Sequence, residues 1–224
     1  MDKRFIRNIP AITPEEQRLL QEKRVVILGC GGLGGYVCEY LSRLGLGKLR
    51  VVDSDSFDES NLNRQLLCTA HTLGQHKADA AKQRVTDIAP HTEVESLPLR
   101  FTQDNAWELL EGCAVAVDAL DNVESRLLLE QACHQANIPL VHGAIQAWSA
   151  QAAVVPPGSG LLQRLYAAAR PDTSPAVLPF TAALCAAVQA AETTKLLCGR
   201  ESSLWGKLWL WDGLSSESET IKLI

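Results

Sequence analysis

The sequence predicts an α/β fold: a Rossmann-like, mostly parallel sheet with helices on both faces, extended by antiparallel strands near the C-terminal end. Three observations predict it. Short apolar runs alternate with amphipathic stretches through the first two thirds of the 224 residues. A glycine loop, GCGGLG, stands between the first apolar run and the amphipathic stretch after it. The last third breaks that alternation and closes on two neighbouring strand-like segments around a Ser/Glu-rich loop.

Taken in order, TPEEQRLLQEK (13–23) reads as a helix, with Thr13 as cap, Pro14 in the first turn and Glu16 three residues after the cap. RVVILG is a buried strand, GLGGYVCEYLSRLGLG a helix ending at glycine, and KLRVVD a second strand. An irregular segment covers about 54–72 before the helix QHKADAAKQRVTDIAP, which stops at Pro90. TEVESLPL alternates like a strand and NAWELLEG is a short helix. AVAVDAL is an apolar strand running into acid, followed by the helix NVESRLLLEQACHQAN and the strand IPLVHGAI. AQAAVVPPG reads as another strand, LLQRLYAAA as a short helix inside a Pro/Gly/Ser-punctuated crossing, and LPFTAALCAAVQAAETTKLL as a long helix. GKLWLWDGLSSESETIKLI gives two strands around a loop. With no linker, repeat or low-complexity tract, residues 1–224 are expected to form one domain.

Composition narrows the function. The chain is 46% apolar and 21% charged, as in ordinary soluble proteins. A net charge of −5 and the lack of a basic cluster argue against DNA or general nucleic-acid binding. The start, MDKRFIRNIP, has no apolar core of a secretory signal, and AALCAAVQAA is too short to span a bilayer. Seven cysteines without a CxxC pair suit reduced thiols, so a cytoplasmic protein free of membrane is expected.

The glycine loop follows a strand and opens a helix, the context in which Gly29, Gly31, Gly32, Leu33 and Gly34 bring backbone close to phosphates. Asp53 ends the next strand, where an acid takes ribose hydroxyls. This pair alone suits NAD, FAD or ATP equally. The residues that follow discriminate: Asn61, Arg64 and Lys77 lie on the same edge, and Asp121 comes just past AVAVDAL. Cations and amides beside one carboxylate suit a triphosphate with Mg²⁺, because cations neutralise phosphoryl oxygens and the acid holds the metal. A P-loop signature, GxxxxGK followed by Ser or Thr, is absent. Each residue also has a plainer role available: Arg64 and Lys77 as surface charges, Asp121–Asn122 as a helix cap, Asp55 as a turn residue.

ILGCGGLG, VVDSDSFDESNLNRQ, LGQHKADAA and ALDNVESR together resemble the ThiF/MoeB/HesA family, relatives of the ubiquitin-activating enzymes. RFIRN is similar to the family's opening, and QAAETTKLL with GKLWLWDGL and TIKL to its last helix and closing hairpin, so nearly the full chain is covered. The resemblance implies ATP- and Mg²⁺-dependent adenylylation of the C-terminal carboxylate of a small ubiquitin-like sulfur-carrier protein ending Gly-Gly, with pyrophosphate released. By the same resemblance the glycines form the phosphate loop and Asp53 holds the ribose. Asn61, Arg64, Gln65 and Lys77 then line the phosphates, Asp121 binds Mg²⁺, and Asp55, Asn122 and Arg126 support them. A homodimer is implied, with Arg7 inserted into the partner's site. A non-catalytic scaffold subunit and an NAD-dependent oxidoreductase are the alternatives; the intact Asp121, Arg64 and Lys77 argue against both.

The sequence departs from the family pattern in one respect. Zinc-bearing relatives carry two CxxC pairs. Here the crossing PPGSGLLQRLYAAARPDTSPAVLPF has no cysteine, and Ile224 falls where the second pair would follow. No zinc is expected, and metal analysis of the purified protein should find no stoichiometric zinc. Cys185 is the nearest candidate for sulfur chemistry but sits in an apolar helix, where a thiol is inert. His142 falls on the ligand-binding edge and reads as a hydrogen-bonded structural histidine; Trp205, Trp209 and Trp211 read as core or interface packing, with a carrier docking surface as the alternative.

Overall fold

The computed structural model describes residues 3–167 and 176–224. Its elements are α1 (Pro14–Glu22), β1 (Arg24–Leu28), α2 (Gly34–Leu44), β2 (Lys48–Val52), α3 (Lys77–Ile88), β3 (Glu93–Leu97), α4 (Ala106–Leu110) and β4 (Val115–Asp118). They continue with α5 (Val123–Ala136), β5 (Leu140–Gln146), β6 (Ser149–Val155), α6 (Leu161–Tyr166), α7 (Pro179–Leu197), β7 (Lys207–Asp212) and β8 (Glu217–Lys222). The expected elements are therefore present in the expected order. Ala168 and Ala169, the end of the short helix expected in the crossing, lie outside the described residues.

One eight-stranded sheet has the order β3-β2-β1-β4-β5-β6-β7-β8. The first five strands in that order are parallel, with Ile27 facing Val51 on one side and Val117 on the other. The last three are antiparallel. Strand alternation splits the core between two layers. Val25 and Ile27 point into a layer with Leu20 of α1, Leu41 of α2, Val85 of α3 and Ala186 of α7. Val26 and Leu28 point into the other, with Leu110 of α4, Leu129 of α5 and Leu162 of α6. Because both faces are covered, the central strands carry apolar side chains without interruption. Trp209 and Trp211 pack against the first layer, as expected for core residues, whereas Trp205 is 46% exposed.

Local signals set the helix ends. Thr13 closes a capping box: its hydroxyl accepts from the Glu16 N–H at 3.2 Å, and the Glu16 carboxylate accepts from the Thr13 N–H at 2.8 Å. Gly45 ends α2 in the left-handed region, φ 95°, where its N–H reaches the Leu41 and Ser42 carbonyls. Among the described residues no helix is long and apolar enough to cross a membrane.

The feature that matters for function is where the strand order reverses. β1 runs outward to β2 and β3 on one side, while β4 and β5 lie on the other. Chains leaving the carboxyl ends of β1 and β4 part in opposite directions and leave a crevice, the general binding position in open parallel sheets.

Candidate nucleotide site

A cleft of about 820 Å³ opens at that crevice, and most of the expected residues line it. Gly29, Gly31, Gly32 and Leu33 come from the β1–α2 loop; Asp53 and Asp55 follow β2; Arg64 and Gln65 come from the irregular segment; Lys77 opens α3; Asp121 and Asn122 follow β4. The volume falls within the range typical of small-molecule sites.

The glycines divide the work. Gly29 has φ 95°, and a Cβ there would meet the Ala119 carbonyl oxygen at 2.4 Å, so the loop can start only on glycine. A Cβ on Gly34 would sit 1.8 Å from the Gly29 carbonyl oxygen, so this residue closes the loop onto itself and lies behind it, outside the cleft lining. Gly31 and Gly32 have room for more: a Cβ there would make only ordinary contacts, no closer than 3.6 Å and 3.8 Å. These two form the bare backbone at the start of α2, where a helix N-terminus favours an anion.

Asp53 accepts from the Cys30 N–H at 2.6 Å and from the Asp55 N–H at 2.8 Å. It thus pins the glycine loop to the end of β2 and keeps its remaining lone pairs toward the cleft. Burial pushes its carboxyl above the usual range, against the pull of those two bonds and of the Lys77 charge. Lys77 is held twice by Asp55: its N–H donates to the Asp55 carbonyl at 2.9 Å, and its Nζ to the carboxylate at 3.0 Å. The stem of Lys77 is buried, which fixes the ammonium at the cleft wall. Arg64 donates to the Ser60 carbonyl and the Asn63 side chain. Gln65 is buried against Gly31, and its Oε1 has no partner among the described residues, an acceptor that a ligand hydroxyl or a water would satisfy.

Past β4, Asn122 caps α5 by accepting from the Ser125 N–H at 2.9 Å. Asp121 is left exposed, and its Oδ1 accepts only from Asn122 Nδ2, at 3.2 Å, among the described contacts. The capping role open to Asp121–Asn122 therefore belongs to Asn122, and Asp121 faces the cleft. A single carboxylate of this kind suits Mg²⁺, which takes one or two protein oxygens plus substrate phosphates and water.

Two further residues of the expected set lie away from the cleft lining. Asn61 is buried and completes the capping box of the 3-10 turn Glu59–Asn61, whose cap is Asp58: its Oδ1 accepts from the Asp58 N–H at 3.2 Å, so it shapes the loop that carries Arg64 and Gln65. Arg7 is exposed near the N-terminal end, away from the cleft lining.

The structure adds residues that the sequence reading did not single out. Val52, Leu99, Phe101 and Leu120 give the cleft an apolar wall suited to a flat base. Leu99 and Phe101 follow β3, so the rule that ligands sit beyond carboxyl ends could have found them. Asp118 is fully buried within β4 and bonded to His142, which is also fully buried, so His142 is structural as expected. A second cleft, about 1360 Å³, continues from the first across β5–β8 and shares Asp121, Asn122, Arg126 and Ile145 with it.

No cysteine is poised for chemistry. Cys185 is fully buried, donates to the Gln151 carbonyl at 3.3 Å, and is pushed up to about 12 by burial. Burial likewise raises Cys30, Cys68, Cys113 and Cys133. Among the seven thiols Cys198 is the least buried. Native protein titrated with a thiol reagent should therefore label Cys198 first and leave the others until denaturant is added. Among the described residues no cluster of three or more His, Cys, Asp or Glu is arranged to hold a metal.

Glycine loop, acid and cations come together at the switch point of a Rossmann-like sheet. The chain belongs to the ThiF family, whose pattern it matches over residues 3–224. It is 36% identical to the SAMP-activating enzyme E1 of Haloferax volcanii, over 94% of this chain and 80% of that one. It is also 36% identical to the sulfur carrier protein adenylyltransferase of Thermus thermophilus, over 93% and 81%. Among solved structures, E. coli MccB with ATP superposes with a TM-score of 0.85 at 20% identity, covering 100% of this chain and 72% of that one, a likeness of fold.

Proposed function

We propose that this adenylyltransferase uses Mg·ATP to activate the C-terminal carboxylate of a small ubiquitin-like sulfur-carrier protein. A carboxylate oxygen bonds to the α-phosphorus, the bond to the bridging oxygen breaks, and pyrophosphate leaves. The names of the relatives at 36% identity support the acceptor class. The observation that carries the reading is the gathering of Gly31, Gly32, Asp53, Arg64, Lys77 and Asp121 around one cleft at the switch point.

Asp53 and the apolar wall would hold the nucleoside end, and the backbone of Gly31 and Gly32 the phosphates. Arg64 and the preset Lys77 offer positive charge where negative charge builds on the phosphoryl oxygens and the leaving group. Charge stabilisation of this kind, fixed before reaction, is commonly the largest contribution to rate. Bound Mg²⁺, held through Asp121, would supply further neutralisation of the triphosphate. No protein base is called for, because the attacking acid is already ionised at neutral pH. The second cleft joins the first at Asp121 and Arg126 and is open along β6–β8, which suits an extended tail laid over the sheet. Arg7 would complete the neighbouring site in a homodimer.

ATP–pyrophosphate exchange tests this. Exchange should depend on Mg²⁺ and on a carrier ending Gly-Gly, and stop when the last two residues are removed. Exchange that ignores the carrier's tail would contradict the acceptor assignment.

A further inference from the structure

The buried pair Asp118–His142 takes no part in the chemistry above, yet the chain commits two titratable groups, both fully buried, to it. Its hydrogen bonds can be followed donor by donor. Nδ1–H of His142 donates to Asp118 Oδ2 at 2.6 Å, which leaves Nε2 as an acceptor. Gln151 Nε2 donates to the Tyr166 oxygen at 3.0 Å and lies 3.2 Å from His142 Nε2. Arg126 Nη1 also donates to that oxygen, at 3.0 Å, so the phenol hydrogen is directed at Nε2, 3.2 Å away.

Two of these side chains, Asp118 and Arg126, close on one backbone residue. Arg126 grips the Leu120 carbonyl with Nε at 3.1 Å and Nη2 at 2.7 Å. Asp118 Oδ1 accepts from the Leu120 N–H at 3.0 Å. Both polar groups of Leu120 are thus held by the ring, and the next residue is Asp121. Asp121 itself has only the contact to Asn122 among those described. A lone exposed carboxylate meets a metal reproducibly only if its backbone is fixed, and here Asp118 and Arg126 hold the residue just before it, with His142 and Tyr166 bonded to them in turn.

We propose that Asp118, His142, Tyr166 and Arg126 form a ring of positioning residues that sets Asp121 for Mg²⁺. The proposal rests on the functional reading above. Partners one step behind a metal ligand commonly govern about 10- to 100-fold in metal affinity or activity, and the ring is predicted to act at that level.

The test uses Mn²⁺ as the probe with a non-hydrolysable ATP analogue, reading free Mn²⁺ by its spin-resonance signal. Tyr166→Phe removes one hydroxyl from the ring and no packing volume of note. It should weaken Mn²⁺ retention about tenfold or more, while analogue binding in EDTA stays at the wild-type value. Arg126→Lys keeps the charge but cannot hold Leu120 and Tyr166 together, and should weaken Mn²⁺ at least as much. Unchanged Mn²⁺ retention in either variant overturns the proposal, as does a parallel fall in metal-free nucleotide binding in Tyr166→Phe, which would mark a merely structural ring. A wild-type protein that binds neither analogue nor Mn²⁺ removes the functional reading itself. A wild type that binds both, with variants that match it, removes the ring alone.

Discussion

Asp121→Ala should abolish ATP–pyrophosphate exchange while leaving the fold intact. The expected loss is at least about 10²–10³-fold, the scale seen when one preorganised electrostatic group is deleted. It follows from how little else Asp121 does. Its side chain is exposed, it accepts only from Asn122 among the described contacts, and the cap of α5 is carried by Asn122 toward Ser125. The mutant should give an unchanged circular-dichroism melting curve beside a dead exchange assay. Near-normal exchange would refute the metal role of this residue, and a collapsed melting curve would show it to be structural.

Gly34→Ala is the second large effect and strikes by another route. A methyl group there would sit 1.8 Å from the Gly29 carbonyl oxygen and 3.3 Å from the Ala119 side chain, so the loop cannot close around it. Overpacking of well-filled sites typically costs about 1–3 kcal/mol, occasionally more, and the clash here is with backbone, which cannot swing aside. We expect a loss of about 3 kcal/mol together with loss of nucleotide binding, because the β1–α2 turn must open. Gly31→Ala is the informative partner. Its nearest neighbour would be Gln65 Nε2 at 3.6 Å, an ordinary contact, and its φ is not in the left-handed region. That variant should melt like the wild type and bind ATP less well, since Gly31 lines the cleft. Denaturant titration beside nucleotide titration separates the two glycines; equal effects from both would contradict the division between a turn residue and a ligand-facing residue.

Much of this was legible before any coordinates. Val25 to Leu28 and Val115 to Val117 are apolar without a break because both sheet faces are covered, so their burial could be read from composition alone. Thr13, Glu16 and Gly45 mark helix ends through chemistry confined to neighbouring residues. Asp53 and the glycines could be placed at the cleft because each follows directly on the end of a strand. The ring around Leu120 was not legible, and the reason is distance along the chain. Asp118, Arg126, His142, Gln151 and Tyr166 come from five separate elements and meet only once β4, β5 and β6 are paired. Asp118 also hides inside an apolar strand, where nothing local marks it as a hydrogen-bond hub. Asn61 shows the reverse case: it stands among site residues in sequence but turns its side chain to Asp58, because a short turn must satisfy its own backbone first. Trp209 and Trp211 share a strand face in sequence, and the structure seats that face against the core layer.

The central claim is that the crevice beyond β1, β2 and β4 receives Mg·ATP. Thermal unfolding of the wild-type protein with and without nucleotide tests it most directly. At a hundredfold excess over its dissociation constant, Mg·ATP should add about 2.7 kcal/mol of stability, and NAD at the same concentration should add none. Stabilisation by NAD with indifference to Mg·ATP would contradict the account.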